Sequence, residues 1–168
     1  MLHNIDLKIV KNFQGSIGDL YEYLKDKNVT ENSKFGDDIW EFETKPNTER
    51  VHFSNYTEKL GNKNLILFWK LFIYLVILKK NKKNKAQNVF VSNSVSLFTY
   101  LNSMGFLEKT ILFTSENAIE FIELLQSQDN SSLYKTHQLR TLKDWYHINQ
   151  FLPLFFKLPS NPLADINV

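Results

Sequence analysis

The sequence predicts a mainly α-helical fold, with four helices of roughly 13–25 residues behind an irregular N-terminal arm. Three observations point there. Gly and Pro number only 5 and 4 in 168 residues, too few for a fold made of tight turns. From Tyr56 onward apolar residues recur at three- and four-residue steps, the spacing of one helix face. Within that region Leu65 to Leu78 is a run of fourteen residues, apolar except for Lys70, followed by the lysine-rich "KKNKKNK".

The elements follow in order. Residues 1–55 form the arm, with one short helix in "SIGDLYEYLKDKN". Ser16 or Asp19 caps it, and Ile17, Leu20, Tyr21 and Leu24 make its stripe. "NVTENSKFGDD" reads as loop. "DIWEFE" and "RVHFS" read as two short strands or extended segments around the polar, Pro-containing "TKPNTE". Residues 56–153 hold the helical domain. Its first helix is expected over about Thr57 to Lys82, with Gly61 as an early weak point. Leu67, Leu71, Tyr74, Leu75 and Leu78 repeat along it, and Lys70 supplies a polar break on one face. The second helix is expected over about Gln87 to Met104, buried through Val91, Val95, Phe98 and Leu101 and ended by Gly105. Thr114 or Ser115 caps the third, "TSENAIEFIELLQSQ". The fourth covers about Leu133 to Leu152, with Leu142, Trp145, Ile148 and Leu152 on its core side and Pro153 at its end. Residues 154–168, with two prolines in an extended frame, read as a linker.

Composition limits function. There is no Cys, which excludes a disulfide scaffold and a thiolate metal site and fits a reducing compartment. The first 25 residues carry Asp6, Asp19 and Glu22 and no apolar core of a secretory signal, so the expected location is the cytoplasm. The net charge of +2 conceals segregation. Residues 1–56 carry 7 basic and 10 acidic groups, residues 57–114 carry 9 and 2, and residues 115–168 carry 4 and 6. A concentrated positive segment between two acidic ones suits a polyanion partner. Lys outnumbers Arg 18 to 2.

The apolar run is too short for a membrane span. Crossing the hydrocarbon layer takes about 20 apolar residues, and runs of about 10–14 belong to buried core helices. The expected role is a central helix covered on most sides.

The main binding candidates are Lys79, Lys80, Lys82, Lys83 and Lys85. They cluster where a helix ends, a position that lysines favour through the helix dipole and that also suits phosphate contact. Asn81, Asn84, Gln87 and Asn88 are interleaved or adjacent, and amides beside phosphate anchors can read adenine edges. The fourth helix adds Lys135, His137, Arg140 and Lys143. Thr136, Arg140 and Lys143 share a face with His137 near it, and Asp144 opposes phosphate there. No catalytic residues are assigned, no glycine-rich phosphate loop occurs, and no cofactor or metal ligand set is expected. His3, His52, His137 and His147 have no ligand spacing.

The order of elements has a familiar form. An arm with Ile39-Trp40 leads to "VHFSNYTEKLGNKNLILFWKLFIYLVIL", a lysine-rich turn, "NVFVSNSVSLFTYLNSMG", "TSENAIEFIELL", "LRTLKDWYHINQFL" ending in Pro, and "NPLADI". Over about residues 39–165 this resembles the N-terminal half of tyrosine recombinases, the phage-integrase family, and within it the larger transposon-type members. The resemblance implies an arm plus a SAM-like four-helix core-binding domain that forms half of a clamp on duplex DNA. Other protomers of the same recombinase would be partners on that DNA, and the protein would serve DNA integration or recombination in a mobile element. Asn161-Pro162 resembles the junction to the catalytic domain. The family's catalytic set is two arginines, a His-x-x-Arg pair, a lysine and a tyrosine. His137-Gln138-Leu139-Arg140 matches His-x-x-Arg literally, but the only other arginine is Arg50, in the arm, and Tyr146 follows six residues later on the same helix. This chain is therefore expected to be non-enzymatic. Two other classes remain open: a helical protein-interaction module without nucleic acid, and a peripheral membrane-associated helical protein that lays the apolar run and its lysines on an anionic surface.

Overall fold

The computed structural model describes residues 5–43, 48–79, 87–108, 111–128 and 131–166. The fold is mainly helical, with two small antiparallel hairpins. The arm contributes α1 (Leu7–Lys11), α2 (Ile17–Leu24), β1 (Asn28–Thr30), β2 (Ser33–Lys34), β3 (Ile39–Glu43) and β4 (Thr48–His52). The helical region contributes α3 (Ser54–Leu60), α4 (Lys63–Lys79), α5 (Gln87–Ser103), α6 (Ser115–Ser127) and α7 (Ser132–Ile148).

The start of α2 is set by a reciprocal cap. Asp19 N–H donates to Ser16 Oγ and Ser16 N–H donates to Asp19 Oδ2, both at 3.1 Å. Leu20 and Leu24 turn inward from it, while Tyr21 is exposed. The stretch expected as loop after α2 instead folds into the β1–β2 hairpin. Val29 and Phe35 bury their side chains there, and Glu41 N–H donates to Ser33 Oγ at 2.8 Å, tying this hairpin to the next. In the β3–β4 hairpin Trp40 faces Val51 and Phe42 faces Glu49. Alternation sends Trp40, Phe42 and Val51 inward and leaves Glu41 and Arg50 on the outer face, paired at 3.0 Å.

The first long helix of the domain is in fact two. Gly61 takes the left-handed conformation, φ +65°, and its N–H donates to the Thr57 carbonyl, which ends α3. Asn62 then restarts the chain, its Oδ1 accepting from Asn64 N–H at 2.8 Å and Leu65 N–H at 3.3 Å. Gly105, φ +76°, follows the end of α5, as expected. Thr114 caps α6 through a reciprocal box with Asn117. Three residues in a tight 3₁₀ turn follow α7, so that helix ends four residues before Leu152.

The apolar helix α4 is buried all round because it packs on two sides at once. Leu65 and every residue from Leu67 to Ile77 are buried. On one side Trp69 meets Phe53 edge-on at 5.3 Å and Tyr56 at 5.8 Å, and Phe53 in turn meets Trp40 at 4.7 Å. On the other side Phe68 meets Phe98, Phe106, Trp145 and Phe156 at 4.5–6.1 Å. Adjacent residues of one helix thus join the arm's aromatic cluster to the bundle's. The buried Trp69 indole donates to Ser94 Oγ on α5 at 2.8 Å, and Ser94 Oγ donates on to the Val91 carbonyl. Beyond α7 the chain stays against the core. Phe156 and Leu158 are buried, Pro162 is buried, and Ser115 Oγ–H donates to Asp165 Oδ2 at 2.7 Å.

One polar residue departs from its expected place. Lys70, read as a polar break on one face, is 8% exposed. Its Nζ donates to the Asp37 carbonyl at 2.8 Å and lies 4.8–5.4 Å from the rings of Phe53, Trp40 and Phe35.

Candidate nucleic-acid interface

The outward face of α7 is the clearest candidate. Gln138, Thr141, Leu142, Asp144, Trp145 and Ile148 are buried, while Thr136, Arg140, Lys143 and His147 are exposed at three- and four-residue steps. The packing fixes this orientation. Trp145 sits against Phe68, Phe106 and Phe113, and its indole donates to the Phe156 carbonyl at 3.2 Å. Gln138 Nε2 donates to the Asn93 carbonyl on α5 at 2.9 Å, and the Tyr134 hydroxyl hydrogen-bonds Ser96 Oγ.

Asp144 is the one acid in α7, and it was the sequence's objection to phosphate contact along this helix. It is 1% exposed, so its carboxylate is not presented on the surface beside Arg140 and Lys143. The exposed stripe therefore carries cations and neutral groups and no carboxylate of its own helix. His147 joins it four residues past Lys143 and seven past Arg140, a spacing legible in the sequence, where His147 is considered only as a metal ligand.

The two remaining α7 candidates flank the stripe on opposite edges. Lys135 is half-buried in a groove between α6 and α7 that Glu123 and Asp165 also line. His137 is half-buried on the other edge. Charge is divided between the neighbouring helices. α6 carries exposed Glu116, Glu120 and Glu123 and no base. A polyanion on the α7 stripe would be held away from the α6 side by those acids.

Of the lysine cluster, Lys79 is the last residue of α4, and Lys80, Lys82, Lys83 and Lys85 lie outside the described residues. The following anchor is described. Asn88 N–H donates to Glu49 Oε1 at 2.7 Å and Asn88 Nδ2 donates to the Arg50 carbonyl at 2.9 Å. These bonds pin the start of α5 to β4. They also engage the side chain of Asn88, which the sequence offered as a reader of base edges.

A membrane surface reading needs the Leu65–Leu78 helix uncovered. Its residues Leu65 and Leu67 to Ile77 are covered by the arm and the bundle, and no helix among the described residues is long and apolar enough to cross a membrane. Among the described residues no group of three His, Asp or Glu is placed to hold a metal ion. No family model, no curated protein and no solved structure matches this chain.

Proposed function

We propose that this chain is the non-catalytic, DNA-gripping portion of a tyrosine recombinase of the phage-integrase family, built as an arm plus a SAM-like core-binding bundle. It holds duplex DNA by its phosphates for integration or recombination, alongside other protomers on the same DNA, in the cytoplasm. The observation that carries the reading is the acid-free exposed stripe of α7, Thr136, Arg140, Lys143 and His147, with its only acid buried. Phosphate contacts are sequence-independent and need cations on a rigid surface, not a shaped pocket. Arg140 offers a planar fork for a phosphate, and Lys143 a point charge one turn away. The lysines from Lys79 to Lys85, clustered in the sequence, would supply further phosphate contacts.

The test is binding of a short duplex by the chain and by an Arg140→Gln/Lys143→Gln double variant over a salt series. Each lost phosphate contact reduces the log–log salt slope by about 1, so the double variant should bind more weakly on every sequence with a slope shallower by about 2. An unchanged slope, with the variant as stable as the parent, removes α7 from the interface.

A further inference from the structure

An open cleft of about 390 Å³ lies between α2 and the first half of α4. Its walls are apolar, with Ile17 and Tyr21 from α2, Leu67 from α4 and the ring of Phe35. The charged side chains lining it are Lys63 and Lys70, and no carboxylate among the described residues joins them. Lys63 is exposed in the first turn of α4, at the rim. Lys70, about two turns further along the same helix, is buried.

Lys70 has unused capacity. An ammonium group has three donors. Among the described residues its Nζ makes one hydrogen bond, to the neutral Asp37 carbonyl, and no ion pair. The rings of Phe35, Trp40 and Phe53 face it, and Phe35 is also part of the cleft wall. The charges of Asp37 and Asp38 act on it from nearby, but both residues are exposed, and the Asp37 carboxylate accepts from Lys34 N–H at 2.8 Å.

We propose that this cleft binds a small apolar monocarboxylate, with its chain against Ile17, Tyr21, Phe35 and Leu67 and its carboxylate on Lys70. Three arguments converge. The volume falls in the range of small-ligand sites, which are mostly apolar with a few convergent polar groups. A buried cation without an ion-pair partner is costly, and an incoming carboxylate offsets that cost through a charge-assisted hydrogen bond. Two lysines and no acid in the lining select a negative ligand over a neutral or positive one.

Calorimetric titration of the whole chain with octanoate and with octanol tests it. At pH 7 octanoate should bind at least roughly 10-fold more tightly than octanol, because only the acid can pair with Lys70. A Lys70→Met variant should bind the two ligands alike. The parent protein supplies a second readout that needs no substitution. The charged groups acting on Lys70 are Asp38 and Asp37 from the β2–β3 connection, and the other titratable groups of the cleft lining are Tyr21 on α2 and Lys63 at its rim. Burial lowers the Lys70 pKa to about 8, so octanoate affinity should fall between pH 7 and pH 9 while octanol affinity holds. Octanol binding as tightly as octanoate, no octanoate binding, or an octanoate affinity indifferent to pH would each overturn the proposal.

Discussion

Lys70 sits in the middle of an apolar helix, where spacing alone reads it as a polar break on one face. The rings that enclose it come from positions 35, 40 and 53, too distant in the chain for any local pattern to disclose. Desolvation lowers its pKa from 10.5 to about 8, against the opposing pull of Asp38 and Asp37. The folded state thus binds the proton less tightly than the unfolded chain. Below pH 8 both states are charged and the burial cost is fully present. As pH rises from 8 to 10.5 the folded lysine is neutral first, so stability rises, by about 3 kcal/mol in all. The same denaturation series on Lys70→Met should lack this rise. Tyr74 and Tyr100, whose pKa values burial pushes up to about 12, destabilise the fold above pH 10 in both proteins, so the difference between parent and variant isolates Lys70. Ser94 is a second buried polar partner. Ser94→Ala leaves the Trp69 indole N–H without its acceptor and should cost about 1–3 kcal/mol in urea unfolding.

Among the elements, those with local signals were legible in the sequence and those depending on distant partners were not. The caps at Ser16 and Thr114 and the glycine at position 105 are where their residue types put them. β3 and β4 follow from alternation around a polar turn. The β1–β2 hairpin was missed because its burial comes from two isolated apolar residues, Val29 and Phe35, in a polar stretch. The break at Gly61 was visible as a weak point but not as an end, since the apolar pattern runs on across it. An added Cβ at Gly61 meets nothing closer than 3.8 Å, so the cost of Gly61→Ala is the left-handed backbone itself. Thermal denaturation should show a loss of about 1–2 kcal/mol. On α7 the sequence placed Arg140 and Lys143 on one face. It also placed Asp144 in opposition, and only the packing around Trp145 shows that acid to be buried.

At the scale of the molecule, α4 is the spine on which arm and bundle meet, through Trp69 on one side and Phe68 on the other. That double coverage explains why the apolar run from Leu65 to Ile77 belongs to a core, and the proposed DNA contact rests instead on the exposed cations of α7 and the lysines from Lys79 to Lys85. The measurement that tests the central claim most directly is duplex DNA binding between about 50 and 200 mM salt, a range over which counterion release reads out as a large loss of affinity. The parent chain is compared with one in which Lys79, Lys80, Lys82, Lys83 and Lys85 are all changed to Gln. Five phosphate contacts give a log–log slope of about −4 to −5, so the parent should show at least that slope, and it should flatten by about that amount in the variant. Absence of binding at 50 mM salt, with the variant as stable as the parent, would contradict the account.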